Sequence, residues 1–434
     1  MEKWFSFTQR QGVFDLSDTQ KELNMRPLRS FLFFFPFLLW QCHNDKAVIT
    51  TVDFSCGDYP DVCLLTEANT DFAIRLYKKV HALADESENV FVSPFSISTA
   101  LAMTMNGAAH ETLDEFETTL GLQGMTSTQR NASFQTLQNV LPYLDATTRL
   151  NFANSIWPQV GFPVIPSFLD TNAIYFSSEV NAVDFRGNLS GSLASVNDWI
   201  AENTDGLVQN ALTSLPPDVV MLLVNTIYFK GKWKAKFDAR DTQNAPFYTP
   251  NGELTAEMMH IEEGTFPYYN REVFQMIDLP YGDSIYSMTV LLPNEGYQVS
   301  DIVEILTPDS YVQWLSEMQP HNTELFFPKF KVSYKTSMKP ALFAMGLQDA
   351  FTRRADFTRL VSEEDVFIGD VIHQAAVEVN ESGTEAAAVT VVILEDNSIG
   401  SSFSPVFRAD KPFLYIIRDN KTNSILFIGQ LMEV

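Results

Sequence analysis

Six histidines, at positions 43, 81, 110, 260, 321 and 373, and three cysteines, at 42, 56 and 63, are the obvious candidates for metal or thiol chemistry in this chain. Their spacing supports neither. There is no His-Glu-x-x-His and no histidine pair at ligand spacing, so no metal site is expected. Every cysteine lies near the N-terminus, which disfavours Cys/His catalysis, and no Gly-x-Ser-x-Gly elbow or phosphate-cradling Gly-rich loop is present. "YGDSIYS" offers Ser284 behind Gly282 and Asp283, an opening that some hydrolases place near their N-terminus and pair with a late Asp-x-x-His. That late pair is absent, and a turn between two strands accounts for the motif better. The residues point away from an enzyme and imply no cofactor.

The stretch that asks for a function is "ESGTEAAAVTVVILEDNS", residues 381 to 398. Its Glu and Ala residues favour helix, whereas "VTVVIL" is β-branched and favours strand. Laid out as a strand, one face carries Thr384, Ala386, Ala388, Thr390, Val392 and Leu394, and the other carries Glu385, Ala387, Val389, Val391, Ile393 and Glu395. The first face is small, uncharged and fit for burial. Eleven residues at roughly 3.3 Å each reach about 36 Å, close to the span of a domain of this size. "EDNSIGSSFS" then reads as an exposed loop open to proteases. Together these features suggest a segment that switches between solvated loop and inserted strand. On this segment alone, an ordinary helix or edge strand before a surface loop remains the plainer reading, and Gly383 by itself is only a turn residue.

The elements that would position such a segment are legible in outline. "TDFAIRLYKKVHAL" sets Phe72, Leu76, Val80 and Leu83 at helical spacing, so the folded domain is expected to begin at about residue 67, after a polar, irregular leader over 43 to 66. In "NVFVSPFSISTALAMTMNGA", a β-like run and Pro94 precede a buried helix that Ser96 or Ser98 is placed to cap. "VVMLLVNTIYF", "YSMTVLLP", "ELFFPKFKVSY" and "SILFIGQLMEV" read as strands buried between layers. No repeat or linker divides the chain, which favours one mixed α+β domain over 67 to 434.

Composition sets the surroundings. With 45% hydrophobic and 19% charged residues over 434 positions, the chain is globular. A formal net charge of −25 repels phosphate backbones and anionic lipid, so nucleic acid is not expected as a partner. Residues 1 to 42 read as an export signal: Arg26 and Arg29 precede an apolar run from Phe31 to Trp40, too short to span a bilayer, and translation starting at Met25 would suit it. Cys42 is a candidate for lipidation of the bacterial lipoprotein kind, the one route to a membrane and the mark of an exported prokaryotic-type protein, although Trp40 and Gln41 are bulkier than that signal prefers. Cys56 and Cys63 flank "GDYPDV" and could close a small disulfide loop in an exported protein.

Five stretches, "NVFVSPFSISTALAMTMNGA", "LVNTIYFKGKW", "DLPYGDSIYSMTVLLP", "HQAAVEVNESGTEAAAVT" and "ADKPFLYIIRDNKTNSILFIGQL", resemble successive signatures of the serpin superfamily, in order. The resemblance implies a fold of three β-sheets with eight or nine helices and an exposed reactive loop, here about 381 to 405. It implies a single-use inhibitor: a serine or cysteine endopeptidase attacks the loop, and the cleaved arm inserts into the large sheet before the acyl-enzyme is hydrolysed. The expected partner is that endopeptidase, in a one-to-one covalent complex with a monomeric inhibitor.

Carried over by position, Glu381, Gly383, Thr384 and Glu385 begin the hinge, and Ala386, Ala387 and Ala388 are the small residues that follow them into the sheet. Ser93, Pro94, Ser96, Asn225 and His373 match the buried polar cluster that gates sheet opening. Trp233 matches the tryptophan where the loop enters, and Lys329 a lysine able to pair with Glu381. The family's usual arm length sets the reactive bond between Asn397 and Ser398, or between Asp396 and Asn397 for an arm one residue shorter. Neither residue suits a trypsin-like or chymotrypsin-like pocket; an Asp-selective or Asn-selective protease fits better.

Overall fold

The computed structural model describes residues 58–215, 218–362, 366–384 and 404–434. In chain order the elements are α1 (Pro60–Leu83), β1 (Val90–Val92), α2 (Pro94–Met105), α3 (His110–Leu120), α4 (Ser127–Val140), β2 (Arg149–Pro158), α5 (Pro166–Phe176), β3 (Glu179–Val180) and α6 (Leu189–Asn203). There follow β4 (Met221–Lys232), β5 (Gln243–Thr249), β6 (Gly252–Asn270), β7 (Phe274–Tyr281), β8 (Tyr286–Pro293), α7 (Val299–Ile305), α8 (Pro308–Glu317), β9 (Gln319–Pro328), β10 (Phe330–Ser337) and α9 (Lys339–Ala344). The chain closes with β11 (Ile372–Asn380), β12 (Gly383–Thr384), β13 (Val406–Arg408), β14 (Phe413–Asp419) and β15 (Ile425–Leu431).

Helix α1 starts earlier than its apolar spacing predicts. Pro60 supplies a fixed φ at the first turn, and Val62, Leu65, Phe72, Leu76 and Val80 are buried along one side, whereas Leu83 is exposed. Residues 60 to 66, read from the sequence as irregular leader, are thus helical and contribute to the core. In α2 the cap is Ser93, whose side chain accepts from the Ser96 amide; Ser98 instead donates back to the Phe95 carbonyl. A serine one residue before the proline caps better because Pro94 occupies the first helical position, where its missing N–H costs nothing.

The strands form two hydrogen-bonded networks among the described residues. One runs β1-β15-β14-β8-β7-β6-β9-β13 with β5 paired to β6; the other runs β10-β11-β12-β4-β2-β3. The first network has two regions, because the 19-residue β6 pairs with β5 and β9 over most of its length and with β7 only at Tyr268 to Asn270. The register shift between Ile261 and Gly264 lets it bend from one region to the other. Strands β8, β14 and β15 are buried along their whole length, as their unbroken apolar runs require.

Two runs read as buried between layers behave differently. Strand β10 alternates, with Lys331, Ser333 and Lys335 exposed, because it is the edge of the six-stranded sheet and one face meets water. The first half of β4, Met221 to Asn225, is only half-buried. Its β11-facing edge carries no ladder there: among the described residues β4 and β11 are joined only through the two residues of β12. Helix α6 crosses the sheet through Val196, Trp199 and Ile200, which pack with Trp157 and Phe185.

Candidate functional site

The site is the place where residues 381–384 enter the six-stranded sheet. Gly383 and Thr384 pair antiparallel with Lys232 and Gly231 of β4 and with Asn380 and Val379 of β11. Thr384 is buried, and its hydroxyl lies 2.6 Å from the Tyr281 hydroxyl. Burial pushes the Tyr281 pKa up, so the phenol stays protonated and able to donate. Directly beneath Thr384 is a small apolar cavity between Ile227 and Phe229 on one side and Ala376 and Val377 on the other, with Phe427 among its lining residues. Among the described residues, the two residues of the arm stand between β4 and β11 at the top of the sheet, and no described strand joins β4 to β11 below them.

Two glycines make this wedge fit. Gly383 has φ of 145°, a conformation closed to other residues, and a Cβ there would sit 2.0 Å from the Gly231 carbonyl oxygen. A Cβ on Gly231 would in turn meet the Tyr281 ring at 2.7 Å. Trp233 closes the top: its ring stacks on Tyr281 at 4.5 Å, its indole N–H donates to the Asn380 carbonyl, and its amide donates to the Ser382 carbonyl. Glu381 lies beside it, accepting from the Thr242 hydroxyl at 2.9 Å, with Lys329 Nζ 3.6 Å away. Lys329 also meets Glu257 at 3.2 Å. Partial burial works to lower the Lys329 pKa, but the two carboxylates outweigh it and leave the pKa raised.

The polar cluster lies further down the slot, at the N-terminus of α2. On the β11 side, the Ser93 amide donates to His373 Nε2 at 3.0 Å. On the β4 side, the Ser96 hydroxyl donates to Asn225 Oδ1, and Asn225 Nδ2 donates to Asn154 Oδ1 at 2.6 Å. Asn154 continues to Gln138 Oε1 and the Phe176 carbonyl. Pro94 fixes the turn between Ser93 and Ser96. The two strands that flank the slot are thus each tied to one helix end, and opening the sheet must break or exchange these bonds. Burial lowers the His373 pKa from 6.5 to about 4, which keeps the ring neutral and Nε2 an acceptor.

Glu385, Ala386, Ala387, Ala388, Asp396, Asn397, Ser398, Cys42 and Cys56 lie outside the described residues. Cys63, on the first turn of α1, is disulfide-bonded. Ser284 sits in the turn between β7 and β8 with φ of 67°, and its hydroxyl accepts from Lys234. No group of three or more His, Cys, Asp or Glu placed to hold a metal occurs among the described residues. Sequence reasoning missed Tyr281, Gly231 and Asn154, although the first two lie inside the quoted stretches "DLPYGDSIYSMTVLLP" and "LVNTIYFKGKW".

A family model described as Serpin (serine protease inhibitor) matches residues 67–434. Human serpin B8 is 35% identical over 372 residues, covering 84% of this chain and 98% of its own. Human antithrombin-III is 33% identical over 382 residues, covering 85% and 81% respectively. The crystal structure of human thyroxine-binding globulin with its hormone superposes with a TM-score of 0.79 at 27% identity, covering 86% of this chain and 99% of that one. With its family signature running from within α1 to the C-terminus and a relative 35% identical over most of both chains, the chain belongs to the serpin family.

Proposed function

We propose that the protein is a single-use inhibitor of an endopeptidase, trapping the acyl-enzyme by inserting its cleaved arm between β4 and β11. Family membership supports protease inhibition in general. The observation that carries the finer reading is the Gly383–Thr384 pair, already laddered to both flanking strands, below which no described strand joins β4 to β11.

The register of that pair explains the composition of the arm. Each step forward along the arm is one step back along β4 and β11. Ala386 would face Phe229 and Val377, Ala388 would face Ile227 and Ala375, and Thr390 would face Asn225 and His373. A small residue suits the first level, where Phe229 and Val377 flank the arm, and a hydroxyl suits the level of the polar cluster. Leu394 would lie opposite Met221, the first residue of β4. An arm that fills the sheet therefore extends to residue 394, and a reactive bond at Asp396-Asn397 or Asn397-Ser398 leaves two or three residues beyond that point to carry the protease.

The mechanism needs no catalytic group of its own. The protease supplies the nucleophile and forms an ester or thioester to the residue before the bond, releasing the amine of the next residue. Ladder formation and burial of the arm then compete with hydrolysis. We place the protein outside the cytosol, with the N-terminal signal removed. Its disulfide-bonded Cys63 supports that placement, since such bonds persist in oxidising compartments. It acts as a monomer, one copy per protease.

The test is incubation with a panel of endopeptidases that includes Asp-selective and Asn-selective enzymes. An inhibitor gives an SDS-resistant one-to-one complex, and mass spectrometry of the released fragment names the bond. Cleavage without complex, or no rise in melting temperature after cleavage, would instead make it a serpin-fold substrate or a binding protein, as thyroxine-binding globulin is by name.

A further inference from the structure

We infer that Asn188 carries an N-linked glycan, an inference that rests on the export reading above. The sequence contains four Asn-x-Ser/Thr triplets, at Asn131, Asn188, Asn380 and Asn420. Three are poorly placed to bear a sugar in the folded protein. Asn131 is buried in α4, with its amide nitrogen donating to Asn106. Asn420 donates to both the Ser284 carbonyl and the Ser287 hydroxyl. Asn380 is half-buried at the top of the slot, beside Trp233, with its side-chain oxygen accepting from the Ser382 amide.

Asn188 differs in each respect. It is exposed, one residue before α6, and among the described residues its side chain is engaged through the oxygen, which accepts from the Gly191 amide at 3.1 Å. Glycosylation uses the other atom. The side-chain nitrogen attacks the anomeric carbon of a lipid-pyrophosphate-linked oligosaccharide, a C–N bond forms, and the C–O bond to the pyrophosphate breaks. The nitrogen gives up one proton, and the helix cap survives because the oxygen is untouched. Gly191 keeps the nitrogen accessible: a Cβ there would sit 2.3 Å from it. The core-facing side of α6, Val196, Trp199 and Ile200, is further along the helix, so the sugar stays clear of the packing over the sheet.

The full chain would be expressed in eukaryotic secretory cells and its mass compared before and after enzymatic deglycosylation. The expected result is secreted protein with one glycan, lost in Asn188→Asp, which keeps the cap, and in Ser190→Ala, which keeps Asn188. Asn131→Gln, Asn380→Gln and Asn420→Gln keep it. Secreted protein without a glycan, or with the glycan at another of the four sites, overturns the inference while leaving export intact. Protein retained in the cytosol overturns the export reading and the inference with it.

Discussion

The hydroxyls of Thr384 and Tyr281 lie 2.6 Å apart in a pocket sealed from solvent, and this bond adds to the backbone ladders that hold Thr384 inside the sheet. Replacing Tyr281 by Phe leaves the Thr384 hydroxyl buried without its partner, which costs about 1–3 kcal/mol. Urea unfolding of the intact protein reads that loss. Thr384→Arg is more severe, because an unpaired charge cannot occupy the slot. The variant should be cleaved by the target protease without forming an SDS-resistant complex, and a complex at the wild-type yield would refute the role given to this position.

Gly383→Ala tests the wedge by geometry alone. With a Cβ 2.0 Å from the Gly231 carbonyl oxygen, the two-residue ladder cannot persist, and the hinge should leave the sheet. Limited proteolysis near residues 381 to 384 should then become faster, while Gly252→Ala, at an open turn with nothing within 4 Å, should leave that cleavage rate unchanged.

How much of this was legible in the sequence depends on the range of the interaction. The two-faced pattern of residues 381 to 394 is local, and strand alternation alone identifies the face that starts with Thr384. Whether Thr384 is in or out of the sheet is decided by Tyr281, Gly231 and Val379, brought together only by the fold. The start of α1 was hidden for a similar reason: Val62 and Leu65 gain their apolar surroundings from elements distant in sequence. Strand β10 misled because "ELFFPKFKVSY" joins two strands, one largely buried toward its end and one alternating at a sheet edge.

His373 makes stability depend on pH in a defined window. Its folded pKa of about 4 lies below the ordinary 6.5, so between these values the unfolded chain binds a proton that the native state does not. The contribution of the neutral ring is complete above pH 6.5 and is lost as pH falls toward 4, about 3 kcal/mol over the window. His373→Asn should lack this component. Parallel stability profiles for the two proteins between pH 7 and pH 4 would remove His373 as the titrating group.

Lys329 invites overestimation. It reaches both Glu257 and Glu381, but its side chain is 29% exposed and that of Glu257 is 61% exposed. Solvent screening limits such pairs to under about 1 kcal/mol. Lys329→Met should therefore shift the unfolding midpoint only slightly, and a loss above about 2 kcal/mol would show that Glu381 needs this partner to stay seated.

The register of β12 makes the sharpest prediction about the inserted state. Continued without a slip, it brings Thr390 level with Asn225 on β4 and His373 on β11, both of which are bonded to the end of α2 in the present state. Insertion separates the strands at this level and must offer these groups a new partner, or they are left buried and unsatisfied. Thr390→Val keeps the shape and removes the hydroxyl. The cleaved form should then be about 1–3 kcal/mol less stable than cleaved wild type, read from the unfolding midpoint. Val391→Thr, on the opposite face, should not show that loss. Thr390→Arg should halt the arm at the polar cluster and turn the inhibitor into a substrate. If Thr390→Arg still traps protease at the wild-type ratio, the arm does not follow the register set by Gly383 and Thr384.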